Sequence, residues 1–284
     1  MSSAATKPGC FDVGIAGGVA HVRLNRPEKL NAMNRAFWSE LPAIVRDIDD
    51  NARARVIVIS STGRHFSAGM DLEVFDDGGS LSDGGGDAQV ANEAFRHKVK
   101  ALQATFSCLD EARVPVIAAI QGGCIGGAVD MTSACDIRYA TADAFFCIQE
   151  INIAITADVG TFPRLCRLIP EGWVRELAYT GRRLPAEKAK AIGLVNEIYP
   201  DHATMLDAVL GTAREIAAKD PLVVTGCKTM INYARDHTTA DALDYIALWQ
   251  SGMLARGHMR EAFQAQKEKR TPRFPDLAAL KKGL

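Results

Sequence analysis

The stretch from residue 116 to residue 134 constrains this chain more than any other. It opens on Val116, Ile117, Ala118, Ala119 and Ile120, the pattern of a buried strand. Four glycines follow closely: Gly122, Gly123, Gly126 and Gly127. Ala128, Val129, Met131 and Ala134 then suit a helix that starts at about Gly126. A fresh helix N-terminus carries unpaired N–H groups and the positive end of a dipole, and glycine lets a ligand approach them. Asp130, Glu150 and Asp158 come next, each beside apolar neighbours. Carboxylates at such a place suit proton transfer to and from a substrate whose developing negative charge the N–H groups hold. A structural strand-to-helix turn is the competing reading. The glycines do not fit the G-x-G-x-x-G dinucleotide spacing, and no Lys-Ser/Thr of a phosphate loop follows.

Before this stretch, residues 11–15 and 19–24 read as a hairpin closed over residues 16–18. Residues 26–33 form a loop with two cations, Arg26 and Lys29. Asn34 caps a helix with Phe37, Leu41, Ile44, Val45 and Ile48 on one face, and Pro42 inside it predicts a kink or a late start. Residues 56–60, Val-Ile-Val-Ile-Ser, are a strand buried on both faces. Small residues then lead from Phe66 to a helix start at Asp71. Residues 76–87 are rich in Gly, Ser and Asp and are expected to be mobile. A helix over 88–110 carries Val90, Phe95, Val99, Leu102 and Phe106 along one side. Short strands, helices and a last strand near 195–199 follow, and from residue 202 the pattern is helical throughout. That change divides the chain at about residue 200 into a core, 1–200, and a helical subdomain, 201–284.

A length of 284 residues suffices for a sizeable core. A formal net charge of -1 argues against a nucleic-acid partner held by charge. No apolar run approaches a membrane span. The seven cysteines include no C-x-x-C pair and the six histidines show no metal spacing, so we expect reduced thiols and no metal. There is no basic-then-apolar leader, and Lys-Lys-Gly-Leu at the C-terminus is not the Ser-Lys-Leu address. A cytoplasmic location is therefore expected.

Several segments in order carry a resemblance that none carries alone. They are Arg26-Pro27 through Met33, residues 66–72, residues 126–130, residues 135–140 and residues 186–194. Over roughly residues 10 to 270 the chain resembles the crotonase family, the enoyl-CoA hydratase/isomerase group. The resemblance implies an α/β fold, a spiral of strand–strand–helix units with a helical C-terminal subdomain that joins subunits and covers CoA. It implies homotrimers or hexamers, an acyl-CoA thioester as substrate and no separate cofactor, CoA being part of the substrate. The oxyanion hole would be the N–H groups of Met70 and Gly127. Ala68, Gly69, Met70, Asp71 and Leu72, with Gly126 and Gly127, would line the substrate channel, and CoA contacts would fall near Lys29 and Ala32.

Within the family, hydratases carry Glu at the positions of Asp130 and Glu150 and a Pro-Gly-rich loop after the second. Here that loop holds an acid, Asp158. Asp130, Glu150 and Asp158 together are similar to the catalytic set of Δ3,5-Δ2,4-dienoyl-CoA isomerases. The implied activity is a shift of double bonds from 3,5-dienoyl-CoA to 2,4-dienoyl-CoA in fatty-acid β-oxidation. An enoyl-CoA hydratase and a non-catalytic binding member of the fold are the alternatives. Asp136 reads as a structural hydrogen bond and Asp71 as a helix cap.

Overall fold

The protein is described from a computed structural model, which places residues 9–71, 73–76 and 87–280. β1 (Phe11–Ala16) and β2 (Val19–Leu24) form the expected antiparallel hairpin, with Gly17 and Gly18 both at positive φ in its turn. α1 (Arg35–Asp50) begins where Asn34 accepts the Phe37 N–H, so the helix does not start late. Pro42 cannot donate to the Trp38 carbonyl four residues back. The hydroxyl of Thr105 donates to it instead, at 3.2 Å.

β3 (Val56–Ser61), the short helix α2 (Glu73–Asp76) and the long helix α3 (Ala88–Glu111) lead to β4 (Val116–Ile120). β5 (Gly123–Ile125), α4 (Gly127–Ser133), β6 (Ile137–Thr141) and β7 (Phe145–Cys147) carry the central glycines onward. After a 3-10 turn at Glu150–Ile153 come α5 (Thr161–Leu168), α6 (Glu171–Thr180), β8 (Leu184–Pro185), α7 (Ala186–Ala191) and β9 (Glu197–Tyr199). α8 (His202–Ala217), α9 (Pro221–Asp236), α10 (Thr239–Met253) and α11 (Arg256–Glu268) complete the chain.

The main sheet has the order β1-β2-β3-β4-β6-β9 and is parallel except for β1. A smaller sheet, β5-β7-β8, stands beside it. β3 and β4 are buried on both faces, which is why their sequences lack polar alternation. Ile57, Ile59, Val116, Ala118 and Ile120 enter the larger core with α1 and α4. Val56, Val58, Ile117 and Ala119 face the other way, onto Met205, Val209, Ala213 and Ala217 of α8. Each fully buried Val or Ile contributes roughly 1.5–3 kcal/mol. The first helix after residue 200 thus packs directly on the sheet.

One sequence reading differs from the structure. Val90 and Phe95 of α3 are exposed, and only Thr105, Phe106, Cys108 and Leu109 of that helix are buried. The apolar stripe of α3 therefore meets the core only in its last turns. Leu243, Leu248, Met253 and Leu254, in and just after α10, are exposed in the single chain. The expected mobility of residues 76–87 concerns a segment that lies, over 77–86, outside the described residues. Among the described residues no helix is long and apolar enough to cross a membrane.

Candidate active site

Two chain segments meet edge to edge. Residues 66–71 run beside the loop at residues 31–33 and beside β5, through bridges at Met33–Met70 and Ser67–Cys124. Almost every N–H of the segment has an acceptor. Phe66 donates to Gln121 O, Ser67 to Gly123 O, Ala68 to Leu30 O and Asp71 to Met33 O. Gly69 donates to Ser67 Oγ. The N–H of Met70 has no acceptor among the described residues, and Met70 is half-buried, not sealed away.

The second segment supplies a matching donor. Gly127 opens α4, so its N–H has no partner within the helix. Gly126 precedes it at φ 55° and ψ -123°, a conformation open to glycine and strained for any side chain. A Cβ at Gly69 would lie 2.6 Å from Ile125 O and 3.4 Å from Gly127 N. The segments bearing Gly69 and Gly127 thus approach closely, and among the described residues neither the Met70 N–H nor the Gly127 N–H has an acceptor.

The carboxylates gather on the α4 side. A Cβ at Gly126 would lie 3.2 Å from Glu150 Oε1, which sets that carboxylate against the N-terminus of α4. Asp130 lies one turn into α4 and is 1% exposed. Its Oδ1 accepts from Thr161 N at 2.6 Å and from Thr161 Oγ1 at 2.7 Å. Its Oδ2 is buried without a partner among the described residues, as is Glu150 Oε2. Burial pushes the Asp130 carboxyl up and Asp158 adds to it, while the Thr161 bonds and Arg164 pull it down; the balance is about 6. Burial and then the charge of Asp130 lift Glu150 to about 7. Asp158, on the loop into α5, is exposed in the single chain, yet partial desolvation raises its carboxyl too. It adds to the upward push on both other acids. A cavity of about 660 Å³ opens beside it.

The other expected site residues divide. Lys29 ends a 3-10 turn at Pro27–Lys29, is exposed and pairs with Glu73 at 3.5 Å. Ala32 is half-buried, and its carbonyl accepts from Arg26 Nη1 at 2.7 Å. Ala68 is half-buried and Gly69 buried, so Ala68 lines the open side. Asp71 is buried; it accepts from Glu73 N and lies 3.5 Å from Arg26, so it braces the start of α2. Leu72 lies outside the described residues. Asp136 is structural, as expected: its Oδ2 accepts from Val116 N and from Lys228 Nζ.

Sequence reading missed the residues that hold this geometry. Asn31 donates to the Thr62 and His65 carbonyls and accepts from Arg26 N. His65 Nδ1 accepts from Gly123 N at 2.9 Å. Thr161 anchors Asp130. Each acts across dozens of residues, and no local pattern announces it. In the basic group near the C-terminus, Arg270 is engaged by Glu261 and Glu268, and the Arg273 N–H bonds Glu261.

At the level of class, these features are three carboxylates that act on one another's ionisation, near a helix N-terminus opened by glycines, on an α/β fold. The chain matches the model of the enoyl-CoA hydratase/isomerase family over residues 14–277. It is 40% identical to the peroxisomal Delta(3,5)-Delta(2,4)-dienoyl-CoA isomerase of Arabidopsis thaliana, over 91% of this chain and 93% of that one. To the mitochondrial enzyme of that name from Homo sapiens it is 42% identical, over 91% and 80%. It is also similar to the solved enoyl-CoA hydratase from Bacillus anthracis, with a TM-score of 0.84 and 31% identity over 93% of this chain and 98% of that one. The chain belongs to the enoyl-CoA hydratase/isomerase family. One expectation is corrected here. These dienoyl-CoA isomerases are named as peroxisomal or mitochondrial, which overturns the cytoplasmic location. Reduced thiols and an uncharged surface balance are common to all these compartments, so composition had no power to choose among them.

Proposed function

We propose that this chain is a dienoyl-CoA isomerase, converting a 3,5-dienoyl-CoA thioester to the 2,4-dienoyl-CoA during fatty-acid β-oxidation. The observation that carries the reading is Asp158, a third carboxylate electrostatically coupled to the Asp130–Glu150 pair. Moving two double bonds means removing a proton at C2 and adding one at C6. The intermediate dienolate spreads its charge from the carbonyl oxygen to C6. Met70 N–H and Gly127 N–H hold the oxygen end. Glu150, beside the N-terminus of α4, takes the C2 proton, and Asp158 delivers the C6 proton. Asp130 keeps Glu150 basic enough, through its adjacent charge, to work near neutral pH. Ala68, Gly69 and Gly126 line the thioester end, and Lys29 and Ala32 lie where CoA enters. No separate cofactor takes part in this scheme.

The same reading extends to assembly as a homotrimer or hexamer through the C-terminal helices. A groove of about 480 Å³ between α9, α10 and α11 is lined by Met230, Ile246, Trp249, Met253 and Phe274. Leu243 and Leu248 stand exposed on α10. Water on so much apolar surface is unfavourable, and contact with a second copy removes it.

The deciding experiment offers the protein a 3,5-dienoyl-CoA and, separately, a 2-enoyl-CoA. Formation of the conjugated 2,4-dienoyl thioester from the first is expected. Hydration of the second with no action on the first would replace this reading with a hydratase, and no turnover of either would leave a binding protein.

A further inference from the structure

The cavity beside Asp158 is lined by three guanidinium groups, and two of them are spoken for. Arg235 of α9 pairs with Asp110 of α3 at 3.2 Å through both terminal nitrogens. Arg167 of α5 pairs with Asp236. Asp136, at the far end of α4, is paired with Lys228 at 2.9 Å. Arg164 differs. Its one hydrogen bond is to a neutral group, Ser107 Oγ, at 3.1 Å, and it has no carboxylate partner among the described residues. Its guanidinium occupies the place a side chain would take at Gly160: a Cβ there would collide with Arg164 Nη1. Gly160 sits at φ 136° and joins Asp158-Val159 to Thr161, the residue that holds Asp130. Arg164 thus lies against the hinge between two of the three acids. It is half-buried, where solvent screens a charge less than at the surface.

We propose that Arg164 is a positioning residue for the acid–base set: lying against Gly160, next to the Thr161 that holds Asp130, it keeps Asp130 the more readily ionised of the two acids, so that the fixed charge of Asp130 sets the proton affinity of Glu150. Two buried carboxylates in contact with each other's field do not both ionise readily, so some asymmetry must choose between them. Thr161 supplies part of it through two hydrogen bonds to Asp130 Oδ1. Arg164 supplies the rest as a fixed charge on the Asp130 side, and it is among the groups that pull the Asp130 carboxyl down. Glu150 lies instead against Gly126, at the opposite end of the first turn of α4 from the Thr161 contact. The cavity's other charges each have a partner, Asp110 with Arg235, Arg167 with Asp236 and Asp136 with Lys228, and leave this preference to Arg164; Asp158 pushes both acids the same way.

The inference rests on the isomerase reading for its consequence in turnover, but its test does not. Carbon-13 labelling of the Asp and Glu carboxyls lets each titration be followed in the resting protein. Arg164→Met is expected to move the Asp130 titration up by about one pH unit, a tenfold change in ionised fraction, and to move that of Glu150 down. Arg164→Lys, which keeps the charge, and Ser107→Ala, which keeps the arginine, are expected to titrate near wild type. Should Arg164→Met not fold, Arg164→Gln can retain the Ser107 bond and carries the same expectation. Unchanged Asp130 and Glu150 titrations in a folded Met or Gln variant overturn the proposal, as does a Lys variant that shifts as far as Met. Wild-type protein that titrates as described but leaves dienoyl-CoA untouched would instead sink the isomerase reading alone.

Discussion

Asp130 Oδ1 accepts two hydrogen bonds from one residue, Thr161, at 2.6 Å from its N–H and 2.7 Å from its hydroxyl. Thirty-one positions separate them in sequence, and the contact pins the loop carrying Asp158 to the helix that opens at Gly127. Thr161→Val keeps the shape and the backbone bond but removes the hydroxyl. A hydrogen bond to a charged group is worth roughly 1.5–3 kcal/mol. A loss of that size in urea denaturation at pH 8 is expected, with the acid limb of kcat/KM moved to higher pH because Asp130 becomes harder to ionise. A variant that loses stability without any shift of the limb would show that the bond only holds the loop.

Stability against pH follows from the same acids. The folded protein holds Asp130 at about 6 against an ordinary 3.8, and Glu150 at about 7 against 4.5. Between these values the folded state binds more protons than the unfolded one. Their contribution is therefore full below about pH 4 and is lost as pH rises toward 7. For Asp130 alone the change is at most about 3 kcal/mol. Asp130→Asn, which can still accept from Thr161, is expected to be more stable than wild type at pH 8, with the gap closing by pH 5, while turnover collapses. Urea midpoints at the two pH values check this; a gap that does not change with pH would contradict the buried-acid account.

For the oxyanion hole, Gly127→Pro deletes the N–H at the first position of α4, where proline is otherwise well tolerated. Loss of one such donor costs roughly 10²–10³ in kcat. Gly127→Ala keeps the N–H, and its Cβ meets only the flexible Met33 Sδ at 3.2 Å, so it is the control. Single-turnover rates for the two are expected to differ by that factor. Equal rates would remove Gly127 from the reaction.

The central stretch was legible because its chemistry is local. Gly126 at φ 55° and ψ -123° has a backbone strained for any side chain, and a strand, a glycine turn and a helix announce themselves within twenty residues. The run 56–60 was legible as a strand for a similar reason, since apolar side chains on both faces leave no alternation to misread. The orphan N–H of Met70 was reachable only by family resemblance. Which donor in residues 66–71 stays free depends on partners at residues 30, 33, 121 and 123, brought in by tertiary folding. Thr161 and Arg164 were invisible for the same reason. The stripe of Val90 and Phe95 failed because periodicity reports a face without reporting what covers it.

The exposed face of α10 gives the assembly prediction. Leu248 is 68% exposed in the single chain and Leu243 62%. Leu248→Glu places a charge where a second copy would have to desolvate it, at several kcal/mol. Light scattering at micromolar concentration is expected to show a trimer or hexamer for wild type and smaller species for the variant, whose helix content is unchanged. A wild-type monomer under these conditions would remove self-association from the proposal.

Asp158 separates the isomerase from every other reading. A water-adding enzyme needs two acids around one water, and Asp130 and Glu150 suffice for that. An isomerase must also reach C6, four carbons beyond C2, and one carboxylate cannot readily serve both ends. Asp158 stands on a separate loop, its charge felt by both members of the pair, and partial desolvation raises its carboxyl above the ordinary value. Asp158→Asn keeps the size and most of the polarity while removing the proton donor. General acid–base groups contribute roughly 10²–10⁴-fold each. A loss in that range is expected for conversion of 3,5-dienoyl-CoA, measured by stopped flow, with acyl-CoA affinity nearly unchanged in calorimetry. Exchange of the C2 proton with deuterated solvent should survive, because Glu150 can still remove and return it. If the variant isomerises at the wild-type rate, Asp158 is not the C6 acid, and the hydratase reading built on Asp130 and Glu150 gains the ground.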